Sequence, residues 1–331
     1  MIHVLQIGFG PLGIQIGKYI VQKSTVKTVA VVDINTDFIG KKLQSFDDTL
    51  SDEVFVYMSV KEAISSLGYK PDVVIITTVS SLEKLIPQVK EVAEFRIPVI
   101  STCEELSYPW KLQPQLSEEL DAICKKNQIA CLGTGINPGF LMDYLPSVFS
   151  SVCKDIKHVS VERIQDATPR RIPFQKKIGA GLSLKAFKEK EATGTLRHVG
   201  LQESVYLLAN SLGLELDSVS ESLNPVIANK TVASSAIIVK IGDARGVEQI
   251  SHGYVKGECR ISMHFKAAIG ELRSYDKITI KGTPNFTSLI EGGLNGDICT
   301  CAVTVNTIKS ILKLTPGLHT MTDIAAPGYI N

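Results

Sequence analysis

The chain has 331 residues, and its 35 basic residues almost balance its 34 acidic ones, for a formal charge of +1. It lacks the basic surplus that would neutralise nucleic acid phosphates or attract an anionic membrane, so we expect neither partner. With 44% hydrophobic residues and about twice the length of an average domain, the chain is predicted to form two globular domains.

Cysteine usage and hydropathy predict the compartment. The seven cysteines form no C-x-x-C pair, which argues against a disulfide framework or a zinc ribbon, and no histidine pair has metal-ligand spacing. The first twenty residues lack the basic start of a signal peptide, and no apolar run reaches about 18 residues. We therefore expect a cytoplasmic protein without a metal.

The first 135 residues alternate between two patterns. Short β-branched runs at 3–7, 28–32, 54–58, 73–78, 98–102 and 129–132 predict strands. Segments such as 82–95 and 116–126 have the three- and four-residue apolar spacing of helices. This alternation predicts an α/β fold, a doubly wound parallel sheet of the Rossmann type, over residues 1–135.

A glycine-rich motif follows the first predicted strand: Gly8, Phe9, Gly10, Pro11, Leu12 and Gly13. In such a strand–turn–helix context, Gly8 permits the tight turn, Gly10 lets a pyrophosphate approach the backbone, and Gly13 allows close packing of helix on strand. The helix N-terminus that follows offers free N–H groups to phosphates. The motif predicts a dinucleotide site.

Asp33 lies twenty residues after the motif, at the end of the second predicted strand. A carboxylate there accepts hydrogen bonds from both ribose hydroxyls and repels a 2′-phosphate, which favours NAD over NADP. Lys41 and Lys42 could weaken that preference, so NADP stays an alternative.

Other polar residues follow the later strands: Thr77, Thr78, Ser80, Thr102 and Asn137. Ligands of open parallel sheets bind beyond the carboxyl ends of the strands, so we expect these residues to contact the ribose and nicotinamide. Ser80 could instead begin a helix. Asn137 suits a carboxamide, although the glycines of 133–139 are equally typical of a turn between domains.

Two adjacent carboxylates, Glu104 and Glu105, end the fifth predicted strand. One of them in a desolvated cleft could act as a general base. We favour Glu104 and keep Glu105 as the alternative; both could instead begin a helix and complement its dipole. Cys103 is interpreted as a small packing residue.

Residues 136–331 are predicted to form a substrate-binding and dimerisation domain of the α+β class. Strands are expected at 159–164, 235–241, 260–265 and 277–280, in a mixed or antiparallel sheet, and a helix at about 295–312 is expected to pack back on the first domain. The predicted substrate-pocket residues are Phe140, Met142, Tyr144, Thr168 and Arg170. Met142 could be a core residue instead.

The cationic residues near position 170 allow two interpretations: Arg163, Arg170, Arg171, Lys176 and Lys177. Arginine pairs with a carboxylate through two parallel hydrogen bonds, as an amino-acid substrate would need. A solvated loop or contacts to the cofactor or the other domain account for these charges as well. His198 is either a proton shuttle or a structural histidine.

Several segments together carry a resemblance to a known family: the glycine motif, C-E-E-L-S-Y-P-W at 103–110 and G-T-G-I-N-P-G-F-L-M-D at 133–143, continued in 165–171, 175–181, 198–204 and 316–318. With these segments the chain resembles the 2,4-diaminopentanoate dehydrogenase family, which includes native amine dehydrogenases and has a dihydrodipicolinate reductase-like fold. The resemblance implies that Glu104 assists deamination, with hydride transfer between nicotinamide C4 and the carbon bearing the amine. The partners implied are an amine, its ketone and ammonia.

Two other functions stay open: a cyclic imine or carbonyl reductase, and a non-catalytic NAD(H)-binding sensor. Dihydrodipicolinate reductases carry an H-H-x-x-K element where this chain has V-E-R-I-Q at 161–165, so that particular reaction is not expected. We expect oxidative deamination of a 2,4-diaminopentanoate-like or simple alkyl amine, the reverse reductive amination, and a homodimer.

Overall fold

A computed structural model describes residues 1–194, 196 and 199–331. The chain divides into two compact units, the first formed by Met1–Phe140 with Gly296–Asn331 and the second by Leu141–Asn295. Residues 296–331 thus belong to the first unit, so the second unit is shorter than the range 136–331 proposed from the sequence. The chain returns because its last long helix packs against its first.

The strands are, in chain order, β1 (Ile2–Ile7), β2 (Val26–Val32), β3 (Val56–Tyr57), β4 (Val73–Ile76), β5 (Val99–Ser101), β6 (Ala130–Gly133), β7 (Asp155–Asp166), β8 (Ser218–Ile227), β9 (Val232–Ala233), β10 (Ile238–Val239), β11 (Ala244–Val255), β12 (Glu258–Ala268), β13 (Tyr275–Thr283), β14 (Phe286–Glu291) and β15 (Gly317–His319). The helices are α1 (Pro11–Val21), α2 (Val60–Leu67), α3 (Leu82–Ala93), α4 (Pro114–Lys126), α5 (Tyr144–Ser150), α6 (Ile172–Lys177), α7 (Leu184–Ala192), α8 (Leu201–Ser211), α9 (Gly296–Asn306) and α10 (Ile308–Ile311).

The first unit contains a parallel sheet in the order β15-β6-β5-β4-β1-β2-β3. Every residue of β4 is buried, as expected for a central strand covered on both faces. Apolar residues of α2, α3 and α4 pack on one face, while α1 packs against α9. The predicted doubly wound fold is confirmed, with β15 added next to β6.

The second unit contains a mixed sheet in the order β14-β13-β7-β12-β11-β8. Strands β7 and β12 are parallel, and the other neighbours pair antiparallel. Helix α8 packs its apolar face on this sheet. The predicted mixed sheet is confirmed, but the long strand expected at 235–241 is wrong. Only Ile238–Val239 is extended, paired with the short β9, and Ile238 is largely exposed.

A buried ion pair fixes one end of the second sheet. The Arg163 guanidinium donates to Asp276 Oδ1 at 2.8 Å and to the Leu294 carbonyl at 2.8 Å, and the Leu294 amide donates to Asp276 Oδ2 at 2.7 Å. Both side chains are almost completely buried. Arg163 is therefore not part of a solvated loop, because its guanidinium is paired with Asp276 inside the second unit.

Candidate active site

The predicted dinucleotide residues of the first unit lie at one edge of its sheet. They follow the carboxyl ends of five strands. These strands are adjacent in the sheet, in the order β6-β5-β4-β1-β2. Backbone hydrogen bonds join the first residue after one strand to the last residue of the neighbouring strand: the Thr102 amide donates to the Ile76 carbonyl at 3.1 Å, and the Thr134 amide to the Ser101 carbonyl at 2.9 Å. The sequence motifs thus meet at a single edge.

Each glycine of the β1–α1 motif has a distinct role. Gly8 has a φ of +93°, which favours glycine. A Cβ on Gly13 would strike the Gly8 carbonyl oxygen, so this position closes the turn against the helix. A Cβ on Gly10, by contrast, would meet no protein atom within 4 Å. Packing of the protein does not explain the absence of a side chain at Gly10, whereas close approach of a ligand does.

The N-terminus of α1 has the properties of an anion site. Its N-cap is Gly10, which offers no side-chain oxygen to the first amides, and its first turn contains no acidic residue. Such amides and the positive end of the helix dipole favour phosphate groups. The open backbone at Gly10 and this uncapped helix both fit a pyrophosphate.

Gln6 holds the glycine loop between β1 and α1 by hydrogen bonds and was not identified from the sequence. It is buried in β1, where its side-chain amide donates to the Gly13 carbonyl at 2.9 Å. Its amide oxygen accepts from Thr28 Oγ1 at 3.0 Å. A polar residue inside an otherwise apolar strand was the available signal, since a buried amide needs partners.

Asp33 lies beside the same loop. Its Oδ2 accepts from the Phe9 amide at 2.6 Å and its Oδ1 from the Asn35 amide at 2.8 Å. The side chain is half-buried, so it keeps access to solvent at the end of β2. Phe9 itself is fully buried against Phe46, with ring centroids 5.2 Å apart. Pro11 and Leu12 form the first turn of α1.

The polar residues that follow β4 make different contacts. Thr77 Oγ1 donates to the Gly8 carbonyl at 3.0 Å, which joins the β4 end to the glycine loop. Thr78 is exposed and donates to Gln88 Oε1 at 2.7 Å. Ser80 accepts at its carbonyl from the Glu105 amide at 3.3 Å and does not cap α3, whose N-cap is Ser81.

The two carboxylates after β5 occupy different surroundings. Glu105 Oε2 accepts from the Leu82 amide at 2.8 Å, at the N-terminus of α3, and from the Gln113 side chain at 2.7 Å. Glu105 thereby caps α3, a helix that precedes it in the chain, whereas the sequence interpretation had it complement the dipole of a helix that it begins itself. Glu104 precedes it in the 3-10 turn Glu104–Ser107 and is half-buried. Burial raises the pKa of the Cys103 thiol, and Glu104 raises it further, which fits a packing residue.

Asn137 presents an unsatisfied carboxamide. Both its Nδ2 and its Oδ1 are inaccessible to solvent and have no hydrogen-bond partner among the described residues. Such groups are rare in folded proteins, because an unpaired buried amide costs about 1–3 kcal/mol. They mark a place where a ligand or water supplies the missing partners. A nicotinamide carboxamide carries the complementary donor and acceptor.

The residues predicted to line a substrate pocket are found in both units. Phe140 ends the first segment of the first unit and is half-buried. Met142 is fully buried among the core residues of the second unit. Tyr144 begins α5, and burial raises the pKa of its hydroxyl. Their contact with a substrate stays a prediction.

Thr168 and Arg170 lie in the loop between β7 and α6. Thr168 Oγ1 donates to Asp166 Oδ1 at 2.6 Å and accepts from the Gly270 amide at 2.9 Å. The Arg170 guanidinium lies 3.9 Å from the centre of the Phe174 ring. Gln175, which sequence reasoning did not single out, holds this loop by donating to the carbonyls of 167, 168 and 170. His198 lies outside the described residues.

Neither a metal centre nor a membrane segment is apparent in the described residues. No group of three histidine, cysteine, aspartate or glutamate side chains among them could hold a metal ion. Within the same described ranges, no helix is both long and apolar enough to cross a bilayer.

Comparison with known proteins identifies the family. The model of the 2,4-diaminopentanoate dehydrogenase C-terminal domain matches residues 140–331, more than half of the chain. The 2,4-diaminopentanoate dehydrogenase of Acetoanaerobium sticklandii is 30% identical over 99% of this chain and 95% of its own length. The chain belongs to the 2,4-diaminopentanoate dehydrogenase family. It is therefore an NAD(P)-dependent oxidoreductase, as the resemblance implied.

Further similarities concern the fold. A model described as a CoA binding domain matches residues 1–102. The amine dehydrogenase of Mycobacterium smegmatis superposes with a TM-score of 0.87 at 21% identity, covering 99% of this chain and 97% of that one. A biliverdin reductase from Synechocystis sp. PCC 6803, solved with biliverdin and NADP+, has a TM-score of 0.54 at 12% identity, over 93% of this chain and 90% of that one.

Proposed function

We propose that this family member is an amine dehydrogenase that converts a primary amine to a ketone and ammonia, and catalyses reductive amination in the reverse direction. The substrate class is a 2,4-diaminopentanoate-like amino acid or a simple alkyl amine. Support comes from the near full-length similarity to an enzyme named for 2,4-diaminopentanoate. The residues at the carboxyl edge of the first unit's sheet supply groups suited to binding a dinucleotide and transferring a proton.

The dinucleotide fits this edge on three observations. The backbone at Gly10 is open, the α1 N-terminus has no side-chain cap, and the Asn137 carboxamide lacks partners in the described chain. Gly8, Gly10 and Gly13 would hold the pyrophosphate, Asp33 the adenosine ribose, and Thr77, Thr78, Ser80 and Thr102 would lie beside the second ribose and the nicotinamide. Asp33 favours NAD, because its carboxylate repels a 2′-phosphate.

Glu104 is the residue to which we assign the proton transfer. When bound, a nicotinamide would supply the hydride acceptor for the carbon that bears the amine. Glu104 takes the proton that the amine must lose, and then orients the water that attacks the imine carbon to release ammonia. A half-buried carboxylate at the strand edge can do both, since it can take a proton from the amine and accept a hydrogen bond from water.

This assignment rests on the C-E-E-L segment at 103–106, whose glutamate the family resemblance assigns to deamination, and on the structural use of the neighbouring carboxylate. Glu105 is bound to the Leu82 amide and the Gln113 side chain, so it has a structural task. Of the two glutamates that the sequence left open, Glu104 is therefore the one we propose as catalytic.

A matched pair of variants tests the assignment. Replacing Glu104→Gln should lower kcat by about 10²–10⁴-fold while NADH still binds, because only proton transfer is lost. Replacing Glu105→Gln should mainly lower the melting temperature. Steady-state kinetics, NADH fluorescence titration and thermal unfolding of both variants provide the comparison. Equal kcat losses, or full activity of Glu104→Gln, would remove Glu104 from the mechanism.

A further inference from the structure

A cavity of about 300 Å³ lies in the first unit, away from the dinucleotide edge. Its wall includes Ile20 and Val21 at the end of α1 and Val26 at the start of β2, and Leu43 and Leu50 from the loop that follows β2. These α1 and β2 residues lie at the amino-terminal ends of the strands, whereas the glycine motif lies at the carboxyl ends. The volume is at the lower end of the range for small-molecule sites.

Lysines are the only ionisable side chains of this wall among the described residues, namely Lys23 and Lys27; no acidic residue lines it there. Lys27 Nζ lies 3.6 Å from Glu53 Oε2, but both side chains are strongly exposed, so this pair is weak.

Lys23 is the unusual member of the wall. Only 8% of the residue is exposed, and within the described ranges no carboxylate lies within 4 Å of its Nζ. Its ammonium group lies over the rings of Tyr19 and Tyr329, at 4.3 and 4.1 Å from their centroids. Aromatic faces stabilise a cation without neutralising it. Against the lowering effect of burial, its contacts with the two tyrosines raise the pKa of Lys23, so this lysine of the cavity wall keeps its charge.

We propose that this cavity is a binding site for a small carboxylate with an unbranched apolar tail, whose carboxylate pairs with Lys23 and whose tail packs on Ile20, Val26 and Leu50. Charge decides between candidate ligands. An apolar ammonium ion would place a second cation beside Lys23 and Lys27, and a neutral alcohol would leave the Lys23 charge unpaired. A carboxylate with an apolar tail pairs with the cation and packs on the apolar wall.

Octanoate is the probe, titrated calorimetrically into the full-length chain with and without saturating NADH. We expect one site per chain whose affinity NADH does not abolish, and no binding of octylammonium at the same concentration. Hexanoate should bind about tenfold more weakly, because two methylene groups fewer are removed from water.

Variants locate the site. Lys23→Gln removes the cation, and Val21→Trp places an indole at the half-exposed rim of the cavity. Each should weaken octanoate binding at least tenfold, whereas Lys42→Gln, at an exposed lysine outside the wall, should not. Should Lys23→Gln not fold, Val21→Trp decides alone. Absence of octanoate binding, competition by NADH, or wild-type affinity of the variants that fold would overturn the proposal.

Discussion

At the scale of single residues, the sequence predicts those roles that depend on local backbone geometry. The glycine motif can be recognised in the sequence because Gly8 needs a positive φ and Gly13 lacks room for a Cβ. The roles of Gln6, Gln175 and Glu105 depend on partners far along the chain or across a turn. Their hydrogen bonds appear only when strands and loops are placed, so no spacing rule finds them.

Asp33 carries the prediction of cofactor preference. Asp33→Ser should shift the ratio of kcat/KM for NAD+ over NADP+ by roughly 10- to 100-fold toward NADP+, because a charge-assisted hydrogen bond to the ribose is worth about 1.5–3 kcal/mol. The control is Asp37→Ser, an exposed acid four residues away in the same loop. Equal ratios for wild type and Asp33→Ser would show that Asp33 does not contact the ribose.

At the scale of elements, the predicted helices 82–95 and 116–126 agree with α3 and α4 within two residues. Their apolar spacing matches the face that packs on the sheet. Strands β8, β9, β11, β14 and β15 were not predicted. β15 has three residues, too few for any periodicity, and β8 and β11 mix small and polar residues whose pairing depends on long-range register.

Two substitutions in the β1–α1 turn separate folding from binding. Gly10→Ala should leave the melting temperature near that of wild type, since its Cβ meets no protein atom, but should weaken NADH binding at least tenfold. Gly13→Ala should destabilise the protein, because its Cβ strikes the Gly8 carbonyl. NADH titration and thermal unfolding distinguish them. Wild-type NADH affinity of Gly10→Ala would place the pyrophosphate elsewhere.

The buried pair Arg163–Asp276 carries a prediction about the second unit. Asp276→Asn should lower the free energy of unfolding by about 3–5 kcal/mol, since it leaves a buried guanidinium uncompensated. Burial already raises the pKa of Asp276, against the effect of Arg163. Glu291→Gln, which breaks the exposed pair with Arg273, should cost less than about 1 kcal/mol. Similar costs for both variants in denaturant titrations would contradict this account of the pair.

At the scale of the whole molecule, composition and pattern predict two kinds of sheet and a C-terminal helix that packs on the first domain, but not the strand β15 that follows this helix. The segment 296–331 belongs to the first unit because α9 packs on α1 and β15 pairs with β6, contacts separated by most of the sequence. The family similarity, in contrast, extends over nearly the whole chain. The sequence motifs therefore predicted the family better than the hydrophobic pattern predicted the boundaries of the two units.

The most direct test of the central claim is amine-dependent reduction of NAD+, followed by NADH absorbance. It is run at alkaline pH, where more of the amine is uncharged, with 2,4-diaminopentanoate and cyclohexylamine in parallel. We predict NADH formation with at least one of them, together with one ammonia per NADH, and reduction of the corresponding ketone only when ammonium is present. A chain that binds NADH but oxidises neither amine, or that reduces the ketone equally well without ammonium, would contradict it.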